Sequence, residues 1–152
     1  MPETIKEGEY AANLTLKDQN NEKYTLSDFK NQKILLSFHP LAWTSVCAKH
    51  MQLLENNYKQ FKDLNTIPLG ISVDPVPSKN AWGIELGIEY TRLLSDFWPH
   101  GEVAKAYGIF NEDYGISERA NILIDENQKV SFVKVYPMSE IPDISEVLDK
   151  LG

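Results

Sequence analysis

Lys33-Ile-Leu-Leu-Ser-Phe38, then His39, then Pro40-Leu-Ala-Trp-Thr44-Ser-Val-Cys47 is the stretch on which the fold turns. Lys33 to Phe38 is apolar at nearly every position, the pattern of a strand covered on both faces. Pro40 then fixes one backbone angle and removes an N–H, which suits a tight wall over a small pocket. Behind it, Val46, Leu53, Leu54, Tyr58, Phe61 and Leu64 recur near helical spacing, so one long helix is expected from about Ser45 to Asn65. Cys47 therefore stands in the first helical turn, where unpaired N–H groups and the helix dipole favour thiolate over thiol. Thr44, three residues earlier, is placed to cap the helix or to donate beside the sulfur. Cys47 is the only cysteine of the chain. Its oxidation must stop at one sulfur or recruit an outside thiol.

The same alternation continues on both sides. Thr15 to Asp18 and Lys23 to Leu26 flank Gln19-Asn-Asn-Glu22, an N-terminal hairpin whose paired Asn tolerates positive φ. Ser27-Asp-Phe29 begins a short helical turn. Ile67 to Val73 is a second apolar strand, stopped by Asp74-Pro-Val-Pro77. Ser78 is the expected N-cap of a helix through Trp82 to Leu86, closed by Gly87. Arg92 to Ser95 is a third strand, and Gly101 to Tyr107 a short helix before Gly108. Ala120 to Asp125 and Val130 to Val135 pair around Glu126-Asn-Gln-Lys129, and Ile144 to Leu151 closes the chain as an amphipathic helix. Strands alternating with helices predict a single α/β domain over residues 1–152, a mixed central sheet flanked by helices. Its core strands would be Lys33–Phe38, Ile67–Val73 and the last hairpin.

Composition narrows the function. A formal net charge of −7 argues against a nucleic-acid partner. No apolar run approaches the roughly 18 residues of a membrane span, and no secretory signal is visible at the N-terminus. A lone cysteine fits a reducing cytoplasm. His39, His50 and His100 match no metal-ligand spacing, and His39 is expected to alternate into the sheet. Phosphate-binding glycine loops are absent. Trp43, Phe97 and Trp98 suit a substrate collar or a partner face, with core packing the expected place of Phe97. By position alone, Arg119 reads as a surface residue at a strand entry.

Pro40-x-x-x-Thr44-x-x-Cys47 resembles the active-site motif of the peroxiredoxins, thiol peroxidases with a thioredoxin-like fold. The resemblance extends to Phe38-His-Pro40, to Gly70-Ile-Ser-Val-Asp74 and to Gly115-Ile-Ser-Glu-Arg119-Ala-Asn-Ile-Leu-Ile-Asp125. Leu94-Ser-Asp-Phe-Trp-Pro-His-Gly101 with Ala106-Tyr-Gly108 resembles the one-cysteine, AhpE-like branch. These segments span most of the chain in the family's order. The resemblance implies that Cys47 attacks peroxide and becomes a sulfenic acid. Arg119 would hold the thiolate and polarise the O–O bond, since its charge cannot be lost by deprotonation. Thr44 would contact sulfur and substrate oxygen, Pro40 would shield the sulfenic acid, and the Cys47 N–H would donate to the peroxide. No metal, flavin or haem is implied. Recycling would fall to a low-molecular-weight thiol or a thioredoxin- or glutaredoxin-like reductant, and a homodimer is expected. One departure stands out. The family commonly carries Glu three residues after the cysteine, to brace the arginine, and this chain has His50. His50 is expected to serve a structural or tuning role. Rival readings are a redox switch signalling through Cys47 without turnover, and a scaffold with an inert thiol.

Overall fold

Leu35 and Ser37 project from one face of their strand while Ile34, Leu36 and Phe38 project from the other, as the two-residue period of an extended chain requires. All five are buried, so both faces of that strand are covered. A computed structural model describes residues 3–152 and shows what covers them. In chain order the strands are β1 (Thr15–Lys17), β2 (Lys23–Thr25), β3 (Lys33–Phe38), β4 (Thr66–Ser72), β5 (Arg92–Ser95), β6 (Phe110–Asn111), β7 (Ile116–Ser117), β8 (Arg119–Ile124) and β9 (Val130–Tyr136). The helices are α1 (Ser45–Asn56), α2 (Tyr58–Asp63), α3 (Val76–Leu86), α4 (Glu102–Ala106) and α5 (Ile144–Leu151).

Seven strands form one mixed sheet in the order β2-β1-β5-β4-β3-β8-β9, and β6 pairs with β7 apart from it. β3 runs parallel to β4 and antiparallel to β8. Two apolar layers sandwich the sheet. Ile34, Leu36, Phe38, Ile71, Leu94 and Ile122 pack with Val103 and Ala104 of α4 and with Leu14, Leu16 and Tyr24 of the N-terminal hairpin. On the opposite face Leu35, Leu93, Leu123 and Phe132 pack against Met51 and Leu54 of α1, Phe61 of α2, Trp82 of α3 and Val147 of α5. This is the thioredoxin-like α/β architecture expected, with its N-terminal hairpin.

Four local expectations need correction. The long helix is two: Asn57 interrupts it at φ −105° and ψ 10°, and its amide donates to the Leu53 carbonyl at 2.8 Å. A side chain that bonds a carbonyl of its own preceding turn competes with the helical ladder. α3 starts at Val76 rather than after Ser78, because a proline in the first turn lacks only an N–H that has no helical acceptor there. β9 lies at the sheet edge, while β5 takes an interior place. Phe97 is 46% exposed and so is not a core residue. Gly87 does end α3 in the left-handed conformation, at φ 72°.

Candidate active site

The loop between β3 and α1 is held at several points. Asp74 at the end of β4 accepts from the Ala42 N–H at 2.8 Å and from the Ser72 hydroxyl at 2.6 Å. The indole of Trp43 donates to Ser78 at 3.0 Å, and Trp43 itself sits at φ 68°, a left-handed turn that a bulky residue adopts only when its surroundings hold it. Pro40, within this loop, is buried. Thr44 occupies the N-cap position of α1, but its hydroxyl caps nothing; it donates to the Leu41 carbonyl at 3.0 Å. Ser45, Val46 and Cys47 are the first three residues of α1, whose N–H groups have no acceptor in the preceding turn of helix. Cys47 is a free thiol and only 1% exposed.

Arg119 begins β8 and, by strand parity, shares a face with Asn121 and Leu123, the face on which α1 lies. It is not a surface residue. The side chain is buried, with Nη2 3.2 Å from Cys47 Sγ and Nη1 3.0 Å from His50 Nδ1. Nε and Nη2 both donate to the Met138 carbonyl, at 3.3 and 3.0 Å. No carboxylate lies within ion-pair distance of the guanidinium among the described residues. A buried cation without a counter-ion is costly, so a negative sulfur is the natural partner for this one.

His50 stands one helical turn after Cys47 on the same face of α1. Arginine only donates, so Nδ1 accepts and the proton lies on Nε2, which faces the Ser37 hydroxyl at 2.6 Å. Burial and then the Arg119 charge push the His50 pKa down to about 3, with Asn121 pulling weakly the other way. His50 is neutral across the physiological range. It therefore braces Arg119 as an acceptor without neutralising it, which is the difference from a carboxylate at this place.

A second buried basic pair lies beside the first. His39 and His50 meet edge to face with ring centroids 6.3 Å apart. Lys79 Nζ is 3.1 Å from His39 Nε2, and both residues are fully buried. Burial lowers the Lys79 pKa to about 7, against upward pulls from Asp74, Cys47 and Asp96. His39 is driven well below its ordinary value by burial and then by Lys79, His50 and Arg119. No cluster of three or more His, Cys, Asp or Glu able to hold a metal occurs among the described residues.

The AhpC/TSA family model matches residues 8–133 of this chain. The chain is a peroxiredoxin of that family. It is 37% identical over 137 residues to alkyl hydroperoxide reductase E of Mycobacterium tuberculosis, covering 90% of this chain and 89% of that protein. Peroxiredoxin 2 of Picrophilus torridus is 32% identical over 82% of the chain and 63% of its own length. Among solved structures, the reduced 2-Cys peroxiredoxin of Plasmodium vivax superposes with a TM-score of 0.87 at 27% identity, covering 97% of this chain and 80% of that one. Peroxidoxin BcpB from Mycobacterium tuberculosis gives 0.84 at 27%, covering 97% and 96%. These relatives favour a thiol-dependent peroxidase over the redox switch.

Of the peroxiredoxin residues picked out in the sequence, the fold brings Cys47, Arg119 and His50 into contact and sets Pro40 and Thr44 in the loop above. Thr44 makes no hydrogen bond to sulfur in this arrangement. Sequence reasoning missed the Met138 carbonyl, Ser37, Asn121 and the His39–Lys79 pair. A signal existed for two of them: Ser37 and Asn121 are the single uncharged polar residues inside otherwise apolar strands, and a polar residue in such a run needs a buried partner.

Proposed function

We propose that this peroxiredoxin reduces hydrogen peroxide, alkyl hydroperoxides or peroxynitrite at Cys47, and that an external thiol or reductase protein then restores the sulfur. The Arg119 Nη2–Sγ contact of 3.2 Å, made by an arginine without a carboxylate partner, carries the reading. The Cys47 thiolate attacks the distal peroxide oxygen, an S–O bond forms and the O–O bond breaks. The sulfur becomes sulfenic acid while the other oxygen leaves as hydroxide or alkoxide and takes a proton, or leaves as nitrite from peroxynitrite. Arg119 faces the developing charge, and the open N–H of Cys47 at the helix start supplies a second donor. Thr44 would turn its hydroxyl from Leu41 to the substrate oxygen, and Pro40 would keep bulk water from the oxidised sulfur. A residue only 1% exposed admits a small peroxide or the end of an extended hydroperoxide far better than a bulky reactant.

With one cysteine, no internal disulfide can form. An external thiol must therefore condense with the sulfenic acid, releasing water, and a second thiol must cleave the mixed disulfide. We place this work in the cytoplasm, where a reducing poise keeps a lone thiol reduced. Exposed Trp43 in the active-site loop supports a partner surface there, for a second copy in a homodimer or for the reductant. Stopped-flow tryptophan fluorescence on mixing with hydrogen peroxide, then with an organic hydroperoxide, tests the reaction and ranks the substrates. A fast peroxide-dependent phase should appear and vanish in Cys47→Ser. A Cys47 that reacts no faster than a free thiol would sink the proposal.

A further inference from the structure

Ser37, Asn121, Tyr136 and Glu146 have no place in that reaction, yet they connect to it atom by atom. Beyond Arg119 and His50, the Ser37 hydroxyl donates to Asn121 Oδ1 at 2.6 Å. Asn121 Nδ2 donates to the Tyr136 hydroxyl at 3.3 Å, and that hydroxyl donates to Glu146 Oε1 at 2.6 Å on α5. Sheet register produces the row. Ser37 lies directly opposite Asn121 across β3 and β8, and Arg119 opposite Tyr136 across β8 and β9, all on the face covered by α1 and α5.

The row has one direction. Arg119 can only donate and an ionised Glu146 can only accept, so each link between them must pass its proton the same way. Reversing the Asn121 amide would take the Tyr136 proton from Glu146 and leave two acceptors facing each other at 2.6 Å. Each donor therefore ends on an acceptor in a single orientation, and hydrogen bonds so aligned reinforce one another. Lys134 pairs with Glu146 at 3.0 Å, and the Tyr136 hydroxyl holds the Glu146 carboxyl below its ordinary pKa, so the terminus stays ionised near neutrality.

We propose that this row is a positioning relay: Glu146, acting through Tyr136, Asn121, Ser37 and His50, holds the Arg119 guanidinium in register with the Cys47 sulfur and so sets the rate of its oxidation. The inference rests on the peroxidase reading of Cys47 and Arg119 and adds residues from the opposite end of the chain to it.

Three variants and two readouts test it on the full chain. Tyr136→Phe cuts two links, and Glu146→Leu removes the terminal acceptor at a half-buried site on α5, with circular dichroism checking that each variant stays folded. Each should slow peroxide oxidation of Cys47 roughly three- to tenfold, the scale of one buried hydrogen bond. Glu146→Gln, which keeps an acceptor oxygen, should recover most of the rate. Nitrogen-15 spectra of the histidine rings should show His50 with its proton on Nε2 in the wild type and in Tyr136→Phe alike, because Arg119 holds Nδ1 as an acceptor, but with the Nε2 resonance shifted in the variant, where Asn121 no longer fixes the Ser37 hydroxyl. Unchanged rates together with unchanged ring spectra would overturn the relay. A slow wild type whose ring spectra still respond would fault the peroxidase reading and leave the positioning chain standing.

Discussion

Two buried basic pairs sit side by side on the same face of the sheet, and they are built in opposite ways. Arg119 and His50 are satisfied at each polar atom, through Met138, Cys47 and the row ending at Glu146. Lys79 has one hydrogen-bond partner, His39, whose Nδ1 has none among the described residues. A guanidinium keeps its charge and fixes its donors in a plane; an ammonium loses its charge readily when buried. Arg119 accordingly offers Cys47 a permanent cation with fixed geometry. Lys79, with a pKa near 7, offers one that fades as pH rises. Position decides less here than satisfaction does.

The largest effect expected comes from breaking the satisfied pair. Arg119→Ala should slow sulfenic acid formation by about 100-fold or more, the scale of losing a positioned donor at developing charge. Arg119→Lys should recover no more than about tenfold, because one ammonium cannot reach Sγ, His50 Nδ1 and the Met138 carbonyl together. Stopped-flow fluorescence gives the rates, and far-ultraviolet circular dichroism checks that both variants stay folded. A lysine variant with the wild-type rate would show that charge alone matters, and would erase the contrast between the two pairs.

Removing the unsatisfied pair should have the reverse sign. Lys79 is protonated in the unfolded chain up to about pH 10.5 but only up to about 7 when folded. The unfolded state thus binds more protons between those values, so stability climbs with pH through that window and the full penalty applies below 7. Lys79→Met removes the penalty, set against about 1–3 kcal/mol for leaving His39 Nε2 unpaired. A net gain of about 1–3 kcal/mol at pH 7 is expected, shrinking toward pH 10. Urea unfolding at pH 7 and 9.5 measures both. Destabilisation at pH 7 would mean that the Lys79–His39 bond is stronger than its geometry indicates.

The strands on which these pairs stand were legible because periodicity reports burial directly: Lys33–Phe38 and Arg92–Ser95 have the expected bounds, as does the helix Ile144–Leu151. Breaks were not. Asn57 ends α1 through one side-chain bond to Leu53, which no hydrophobic pattern encodes. The segments carrying Cys47 and Arg119 could be recognised from their residues, but the burial of Arg119 could not, since it depends on which strand lies beside β8. The row through Ser37 and Asn121 has the same origin. Each residue is visible as a polar interruption in an apolar run, and only the register of β3 against β8 makes them partners. Lys79 was hidden for a different reason: a lysine on a helix normally keeps its head in water, and nothing local says that this one does not.

The smallest effect falls on the acid side and asks whether both histidines are neutral. His50, with a folded pKa of about 3, and His39, also lowered by burial, take up protons only on unfolding as pH drops through 6.5. The unfolded state then binds more protons, so stability falls as pH falls, by ~0.7 kcal/mol per histidine between pH 7 and 6. Asp96 works against this. It accepts from the Val103 and Ala104 N–H groups at the start of α4, but burial raises its pKa to about 6. The folded state therefore gains a proton there between about pH 6 and 3.8 and recovers part of the loss. Urea unfolding from pH 7 to 5 should show a net decline of ~1 kcal/mol by pH 6 and of ~1.5 kcal/mol more by pH 5, since two histidines outweigh one aspartate. His50→Asn keeps an acceptor at the Nδ1 position for Arg119 and should remove ~0.7 kcal/mol of the initial decline, whereas Asp96→Asn should steepen the curve below pH 6. An unchanged slope in His50→Asn would mean that His50 titrates normally in the folded protein. It would then carry a charge beside Arg119 near pH 6, which the direction of the hydrogen-bonded row forbids.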